Sequence, residues 1–404
     1  MRIAFLVGSP DISGGSFVIF EHALFLMRHN HEVVMITTNS LSCDMKELNW
    51  HNDAKRLMWM TYQQAGNIFF DITIATWWRT FYELYRIQSK KYVYFVQSIE
   101  SRFYDHMEKP LRKLVDSTYI FDIPIITEAT WIKNFLYDNY NREAFLVKNG
   151  IRKDLFCCKG DFYPKNNEND LRVLVEGPIN VDFKNVLKTI ELCKKSCADE
   201  IWLLTSSNVE RVHNADRVFS RIPINQTPYI YRSCDVIVKL SYVEGMFGPP
   251  LEMFHCGGTA IVYNVSGHDE YIKHNINGLV ANVNDEDKVI EYINELKSNI
   301  TKRAELKSEA IKTAEHWTDW NDSSKEFENA LVAINKESCV NVNFLKINSK
   351  FLFDWYVIAE NYKNQLKDVK KNNSYLKRFT HWYKKIFPKT YSFIIRKINN
   401  FKYG

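Results

Sequence analysis

Two glutamates, Glu244 and Glu252, bracket a short loop in the run Ser241-Tyr-Val-Glu-Gly-Met-Phe-Gly-Pro-Pro-Leu-Glu-Met-Phe-His-Cys-Gly-Gly258. An ionised carboxylate only accepts hydrogen bonds, so such a pair suits the hydroxyls of a sugar or a ribose. Gly245, Met246, Phe247 and Gly248 form the loop. Pro249 and Pro250 suit a helix start, where a missing N–H costs nothing. Gly257 and Gly258 suit the helix end. This reading puts Glu244 in the loop and Glu252 in the first helical turn. Free N–H groups at the positive helix end would then hold an anion beside the two carboxylates.

Other residues could complete such a site. Lys184 closes Glu176-Gly-Pro-Ile-Asn-Val-Asp-Phe-Lys184 and precedes a helical pattern. A lysine there opposes the helix dipole, which favours a functional role over a structural one. Gly14 and Gly15, after the first strand, would let backbone N–H groups approach a phosphate. Gln97 and Glu100 lie just past the strand Tyr92–Val96, where ligands bind in open α/β sheets. Asp285-Glu-Asp287 has a metal-binding spelling, but it precedes a helix over 288–296 and reads as its N-cap. His255 and His268 read as structural. Neither a metal nor a cofactor is expected.

The elements that must carry these residues alternate. Strands are predicted at 3–8, 33–37, 71–76, 92–96, 123–127 and 144–148, and again at 171–175, 201–205, 218–222, 236–240 and 259–263. Helical stretches at 16–28, 78–87 and 131–137 separate the early ones. Such alternation predicts parallel, doubly wound sheets. Residues 157–170 have the polar, Gly- and Pro-containing composition of a linker.

The ordered set around Glu244 and Glu252 has flanking partners: Tyr231-Arg-Ser-Cys-Asp-Val-Ile-Val before it, and Ser266-Gly-His-Asp-Glu-Tyr-Ile and Asn277-Gly-Leu-Val after it. Together they resemble the E-x7-E signature of retaining GT-B glycosyltransferases, the large family four of that fold. The likeness runs from about Leu171 to Leu296, with weaker echoes from Met1 to Phe156. It implies an α/β chain of two Rossmann-like domains facing across a cleft, plus a helical basic C-terminal extension. The expected division is an acceptor-side domain at 1–156, a linker at 157–170 and a nucleotide-sugar domain at 171–316. A terminal helix at 317–336 would cross back to the first domain, and the extension would cover 337–404.

The resemblance also implies roles. Glu244 would orient the donor sugar and Lys184 would clamp the diphosphate, as catalytic residues. Glu252 would take the ribose hydroxyls. Gly14, Gly15, Gly245, Met246, Phe247, Gly248, Gly177 and Glu270 would line the donor site. Gln97 and Glu100 would lie on the acceptor side. Where the family usually has an Arg after the glycine, this chain has Pro178, so one cation is missing.

The implied function is retaining transfer of a hexosyl or deoxyhexosyl unit from a UDP-, GDP- or dTDP-linked sugar to a glycan or lipid-linked acceptor. Bacterial surface polysaccharide synthesis, of O-antigen or capsule, is the implied setting, with rhamnosyl-type transferases among the resembling enzymes. A non-catalytic GT-B partner and a GT-B nucleotide-sugar epimerase are the alternatives.

Composition sets outer bounds. A chain of 404 residues with 46% hydrophobic and 25% charged residues suits a globular protein of two domains. No apolar run is long enough to span a bilayer. Met1–Gly8 reads as a buried strand, not a signal peptide. The eight cysteines form no Cys-x-x-Cys pair, which fits reduced cytosolic thiols. Charge is uneven: residues 337–404 hold 14 Lys and Arg against 4 Asp and Glu, while the whole chain is only +5. Leu376, Phe379, Trp382, Tyr383, Ile386 and Phe387 fall on one side of a helical wheel, with Lys377, Arg378, Lys384 and Lys385 on the rest. A basic, aromatic amphipathic segment over 376–403 reads as an anchor on an anionic membrane surface, at its cytoplasmic inner face, with docking of its apolar face on this chain or a partner as the alternative. A nucleic-acid partner is not expected, since no recognition module accompanies the charge.

Overall fold

The computed structural model describes residues 1–336 and 342–387. The part of the expected anchor beyond residue 387 lies outside the described residues, as do the side chains of 370–379, Tyr383 and Lys384.

The first domain runs β1 Arg2–Leu6, α1 Gly14–Arg28, β2 Glu32–Thr37, β3 Met58–Thr61, α2 Tyr62–Ala65, β4 Phe69–Ala75, α3 Trp78–Glu83, β5 Gln88–Val96, α4 Lys109–Asp116, β6 Ile125–Thr127, α5 Thr130–Tyr140 and β7 Ala144–Leu146. Its sheet has the order β3-β2-β1-β4-β5-β6-β7, parallel throughout. The second runs β8 Arg172–Glu176, α6 Val186–Lys195, β9 Glu200–Thr205, β10 Arg217–Ser220, α7 Thr227–Ser233, β11 Val236–Lys239, α8 Gly248–His255, β12 Thr259–Tyr263, β13 Leu279–Ala281, α9 Glu286–Ser298 and α10 Ile300–Glu315. Its parallel sheet has the order β10-β9-β8-β11-β12-β13. Both sheets are doubly wound, so each changes winding direction at one crevice, between β1 and β4 and between β8 and β11.

Burial explains why these runs are strands. Residues 3–6 of β1, 236–239 of β11 and 259–263 of β12 are buried on both faces. Parallel sheets covered by helices on both sides demand such continuous burial. Lys239 is the charged exception in β11.

α11 Trp320–Lys336 packs on the first domain. Phe327 stacks on His22 at 4.2 Å, and Ser324 Oγ lies 2.9 Å from His22 Nδ1. Glu328 joins His31 at 2.8 Å and Lys325 at 2.6 Å. Opposite the crossing, a Cβ at Gly150 would stand 2.4 Å from the Asp319 backbone, so only glycine fits there.

One long helix, α12 Val342–Ile386, follows. The separate amphipathic element expected near 376–387 is the end of this helix. Its first half docks on the first domain. Leu345 and Ala359 are buried, Tyr356 meets Trp78 at 5.4 Å, Glu360 pairs with Arg79 at 3.2 Å and Lys363 with Glu108 at 3.6 Å. Among the described residues, no helix is long and apolar enough to cross a membrane.

Candidate active site

The loops after β8 and β11 flank the crevice of the second sheet. After β8 the chain turns at Gly177, whose φ is +140°, a value few side chains tolerate. A Cβ there would stand 3.1 Å from Val186 and 3.7 Å from the Lys239 ammonium. A short turn over Asp182–Lys184 then leads into α6. After β11 the chain passes through Ser241 to Glu244 and enters α8.

Four charged groups meet at this crevice. Lys184 Nζ lies 2.7 Å from Glu244 Oε2. Lys239 Nζ lies 2.5 Å from Glu176 Oε2 and 3.7 Å from Glu244 Oε1. Glu244 Oε1 takes no hydrogen bond from the protein, although it is buried. Such an oxygen is costly unless a donor reaches it, and a sugar hydroxyl is such a donor. Burial pushes the Glu244 carboxyl up, but Lys184 and Lys239 outweigh it and hold it below the ordinary value. Glu244 is therefore ionised at neutral pH.

Glu252 sits deeper. Burial pushes its pKa up to about 7, with Glu176 adding to the rise and a hydrogen bond from Tyr231 opposing it. Its position needs correction. α8 begins at Gly248, ahead of the prolines, so Glu252 is one full turn into the helix and its first turn holds no acid. The free N–H groups expected at this helix end are also scarce. Pro249 and Pro250 have none, and the Gly248 N–H is turned to Met246 O at 2.9 Å. The end attracts an anion through its dipole more than through donors. The far end closes as expected. Gly257 has φ +86°, and Gly257 and Gly258 donate to Phe254 O and Met253 O, the Schellman pattern.

The first domain supplies the facing wall. Ser13 caps α1 by accepting from Ser16 N–H, which leaves the Gly14 and Gly15 donors at the positive helix end. A Cβ at Gly15 would stand 3.5 Å from Gln97 Oε1, another buried oxygen with no protein donor. Gln97 in turn presses on the glutamate loop. A Cβ at Gly245 would stand 2.0 Å from Gln97 O and 2.8 Å from Glu128 Oε1. Gly15, Gln97, Gly245, Glu244 and Lys184 thus form one connected group across the cleft.

Several expected site residues are engaged elsewhere. The Met246 N–H donates to Glu128 Oε1 at 3.0 Å, and the Met246 and Phe247 side chains are buried in the core. Glu270 reaches across to the first domain, accepting from Thr130 N at 2.5 Å and pairing with Lys148 at 2.9 Å. It ties the end of α5 to the second domain. Glu100, expected on the acceptor side, is not exposed to the cleft. It is buried, accepts from Trp78 N at 2.8 Å and Tyr94 Oη at 3.2 Å, and burial pushes its pKa up to about 8. Gly248 stands in open space. Asp285 is the N-cap of α9, accepting from Lys288 N at 3.2 Å. His255 Nδ1 lies 2.8 Å from Leu251 O, and burial pushes its pKa down to about 4.

Sequence reasoning missed two residues here. Lys239 supplies a second cation beside Gly177, next to the place where Pro178 stands for the usual Arg. Its signal was a lysine inside an otherwise apolar strand. Glu128 joins the domains through Met246 N and Asn149 Nδ2, the latter at 2.9 Å, and burial pushes its pKa up to about 7. Nothing in its local sequence marks it.

Residues 208–313 match the family model described as glycosyl transferases group 1. An uncharacterized glycosyltransferase of Methanocaldococcus jannaschii is 25% identical over 183 residues, which is 42% of this chain. The chain spans about half, 49%, of the length of that curated relative. Among solved structures, Anabaena HepE in complex with UDP and glucose superposes with a TM-score of 0.66 at 14% identity, over 82% of this chain and all of that one. Sucrose-phosphate synthase of Thermosynechococcus elongatus gives 0.65 at 14% identity, over 83% of this chain and 99% of that one. The fold is GT-B.

Proposed function

We propose that this chain is a group 1 glycosyltransferase that takes a sugar from a nucleotide-diphosphate donor. The observation that carries the reading is the charged group Lys184–Glu244–Lys239, set at the crevice of the second sheet against the Gly14-Gly15 end of α1. Two ammonium groups and a helix end suit a diphosphate. The unpartnered Glu244 oxygen suits a sugar hydroxyl. Binding of UDP and glucose by HepE, and of UDP-glucose in a second complex of the same protein, supports UDP-sugars as the first donors to try.

In the proposed reaction the bond between the sugar's anomeric carbon and the diphosphate oxygen breaks, and a bond to the acceptor oxygen forms on the same face. The leaving diphosphate takes the electron pair, and its oxygen accepts the acceptor's proton. Lys184, Lys239 and the two helix ends stabilise the charge that develops on it, and such preorganised groups are a large catalytic contribution. Glu252 receives the ribose hydroxyls. The acceptor, a glycan or lipid-linked sugar of a bacterial surface polysaccharide, enters from the Gln97 side. The basic segment from residue 370 onward holds the enzyme at an anionic membrane.

The test is thermal unfolding with UDP, GDP, dTDP and their sugars, followed by product analysis with the best ligand. A ligand of the native state raises the midpoint. At least one diphosphate should raise it well above its nucleoside, and its sugar should be turned over with retention at the anomeric carbon. Failure of every diphosphate to stabilise the protein would refute the reading.

A further inference from the structure

α12 presents a second face that its docking on the first domain leaves largely exposed. Phe344, Ile347, Phe351, Trp355, Ile358, Tyr362, Leu366 and Val369 repeat at steps of 3, 4, 4, 3, 4, 4 and 3, which keeps them on one side of a helix. Their exposures run from 42% at Leu366 to 68% at Ile347. The docked row, with Leu345, Leu352, Tyr356 and Ala359, lies one residue further round, about 100° away. Phe344, at one end of the stripe, also meets Phe121 of the first domain at 6.4 Å, and the exposed run from Ile347 to Val369 lies off the docked row.

We propose that this stripe is the interface of a homodimer in which a second copy of the chain packs its own α12 antiparallel. Area supports a second copy. Eight large apolar side chains, each with roughly 100 Å² to hide, give about 800 Å² per chain, which is what a standard interface needs. Spacing supports the antiparallel sense. The order of steps reads the same from both ends, so a two-fold axis between Tyr356 and Val357 sets apolar on apolar in every layer. Trp355 meets Ile358 of the second copy, Phe351 meets Tyr362, Ile347 meets Leu366 and Phe344 meets Val369. A parallel pair would stack Trp on Trp and Val on Val, leaving layers of uneven width.

The flanks favour a protein over a membrane. Asn343, Asn348, Asp354, Asn361 and Gln365 border the stripe, and residues 342–369 hold 4 Lys against 3 Asp and Glu. An interfacial membrane helix shows a wider apolar face and cationic flanks. Here Lys outnumber the acids by only one along the stripe, and the run of Lys and Arg without a balancing acid begins at Lys370, beyond it.

The test is sedimentation equilibrium on the full chain at roughly 20 µM, within the affinity range of interfaces this size. The wild type should have twice the chain mass of 47.8 kDa. Phe351→Asp should be monomeric and still folded, with the circular dichroism of the wild type, since Phe351 is 62% exposed in the single chain. Phe351→Asp with Tyr362→Lys should recover the dimer, because only the antiparallel register sets 351 against 362. A monomeric wild type would overturn the proposal, whether residues 388–404 or a lipid surface then cover the stripe. A dimer that survives Phe351→Asp would overturn it too, and absence of rescue would overturn the antiparallel pairing.

Discussion

Replacing Glu244 by Gln should tighten nucleotide-diphosphate binding while slowing transfer. The carboxylate stands 2.7 Å from the Lys184 ammonium and 3.7 Å from that of Lys239, so it competes for the cations that a diphosphate needs. A phosphate oxygen that takes Lys184 would lie about 6 Å from Glu244. Two unit charges at that distance repel by about 3 kcal/mol at an effective dielectric of ~20. Glutamine keeps the size and one hydrogen bond but removes the charge. Affinity for the free diphosphate should rise roughly ten- to hundredfold, after allowance for the exposed side of Lys184. The sugar loses a charge-assisted hydrogen bond of about 1.5–3 kcal/mol, so transfer should fall by a similar factor. Because the two lysines hold the Glu244 pKa low, the gain in affinity should persist across the neutral range. Titration calorimetry with the diphosphate, beside initial rates with the donor, measures both. If affinity and rate fall together, Glu244 serves to position the lysines, and the division of roles argued here is wrong.

Four further outcomes are expected. Lys239→Met leaves Glu176 and Glu244 facing each other in a buried site, which should cost about 3–5 kcal/mol of stability by denaturant titration and weaken diphosphate more than nucleoside binding; equal loss for both ligands would exclude a clamp. Glu252→Ala should weaken nucleoside and diphosphate alike by ~1.5–3 kcal/mol, seen by calorimetry, and unchanged nucleoside affinity would remove its ribose role. Glu100 has a folded pKa of about 8, above its unfolded value, so it subtracts stability progressively as pH rises from about 4.3 to 8. Glu100→Gln should therefore match the wild type at pH 4 and melt several degrees higher at pH 8, and a variant less stable at pH 8 would contradict the buried neutral acid. Removing residues 371–404 should abolish salt-sensitive binding to anionic vesicles while leaving donor turnover on a soluble acceptor; vesicle binding by the truncated form would place the contact elsewhere.

The scaffold was legible because its signals are local. Val236–Lys239 and Thr259–Tyr263 are apolar runs bounded by loops, and Gly257-Gly258 carries a helix end that few other residue pairs allow. The edge strand Met58–Thr61 escaped, since its four residues are half-exposed and show no alternation. Within the site, type and spacing marked Glu244 and Lys184 as candidates, and their side chains are in contact. The surroundings of Glu270 and Glu100 were not readable, because the partners of each are brought by the fold: Thr130 and Lys148 from the other domain for Glu270, and Trp78 and Tyr94 of its own domain for Glu100. Lys239 was hidden for the opposite reason. A lysine in a strand reads as solvent-facing until the fold turns the Glu244 loop back on it and brings Glu176 from the neighbouring strand to neutralise it.

The return of α11 to the first domain has a mechanical consequence. The chain joins the domains twice, at 157–170 and again ahead of Trp320, and near Gly150 and Asp319 the second strand lies directly on the first domain. A single tether would let the second domain swivel and twist. Two tethers act as a pair of hinge pins and leave one easy rotation, about the line that joins them. Any opening of the cleft would then be a swing about that line, and closing would return Glu244 and the Gly14-Gly15 helix end to one register.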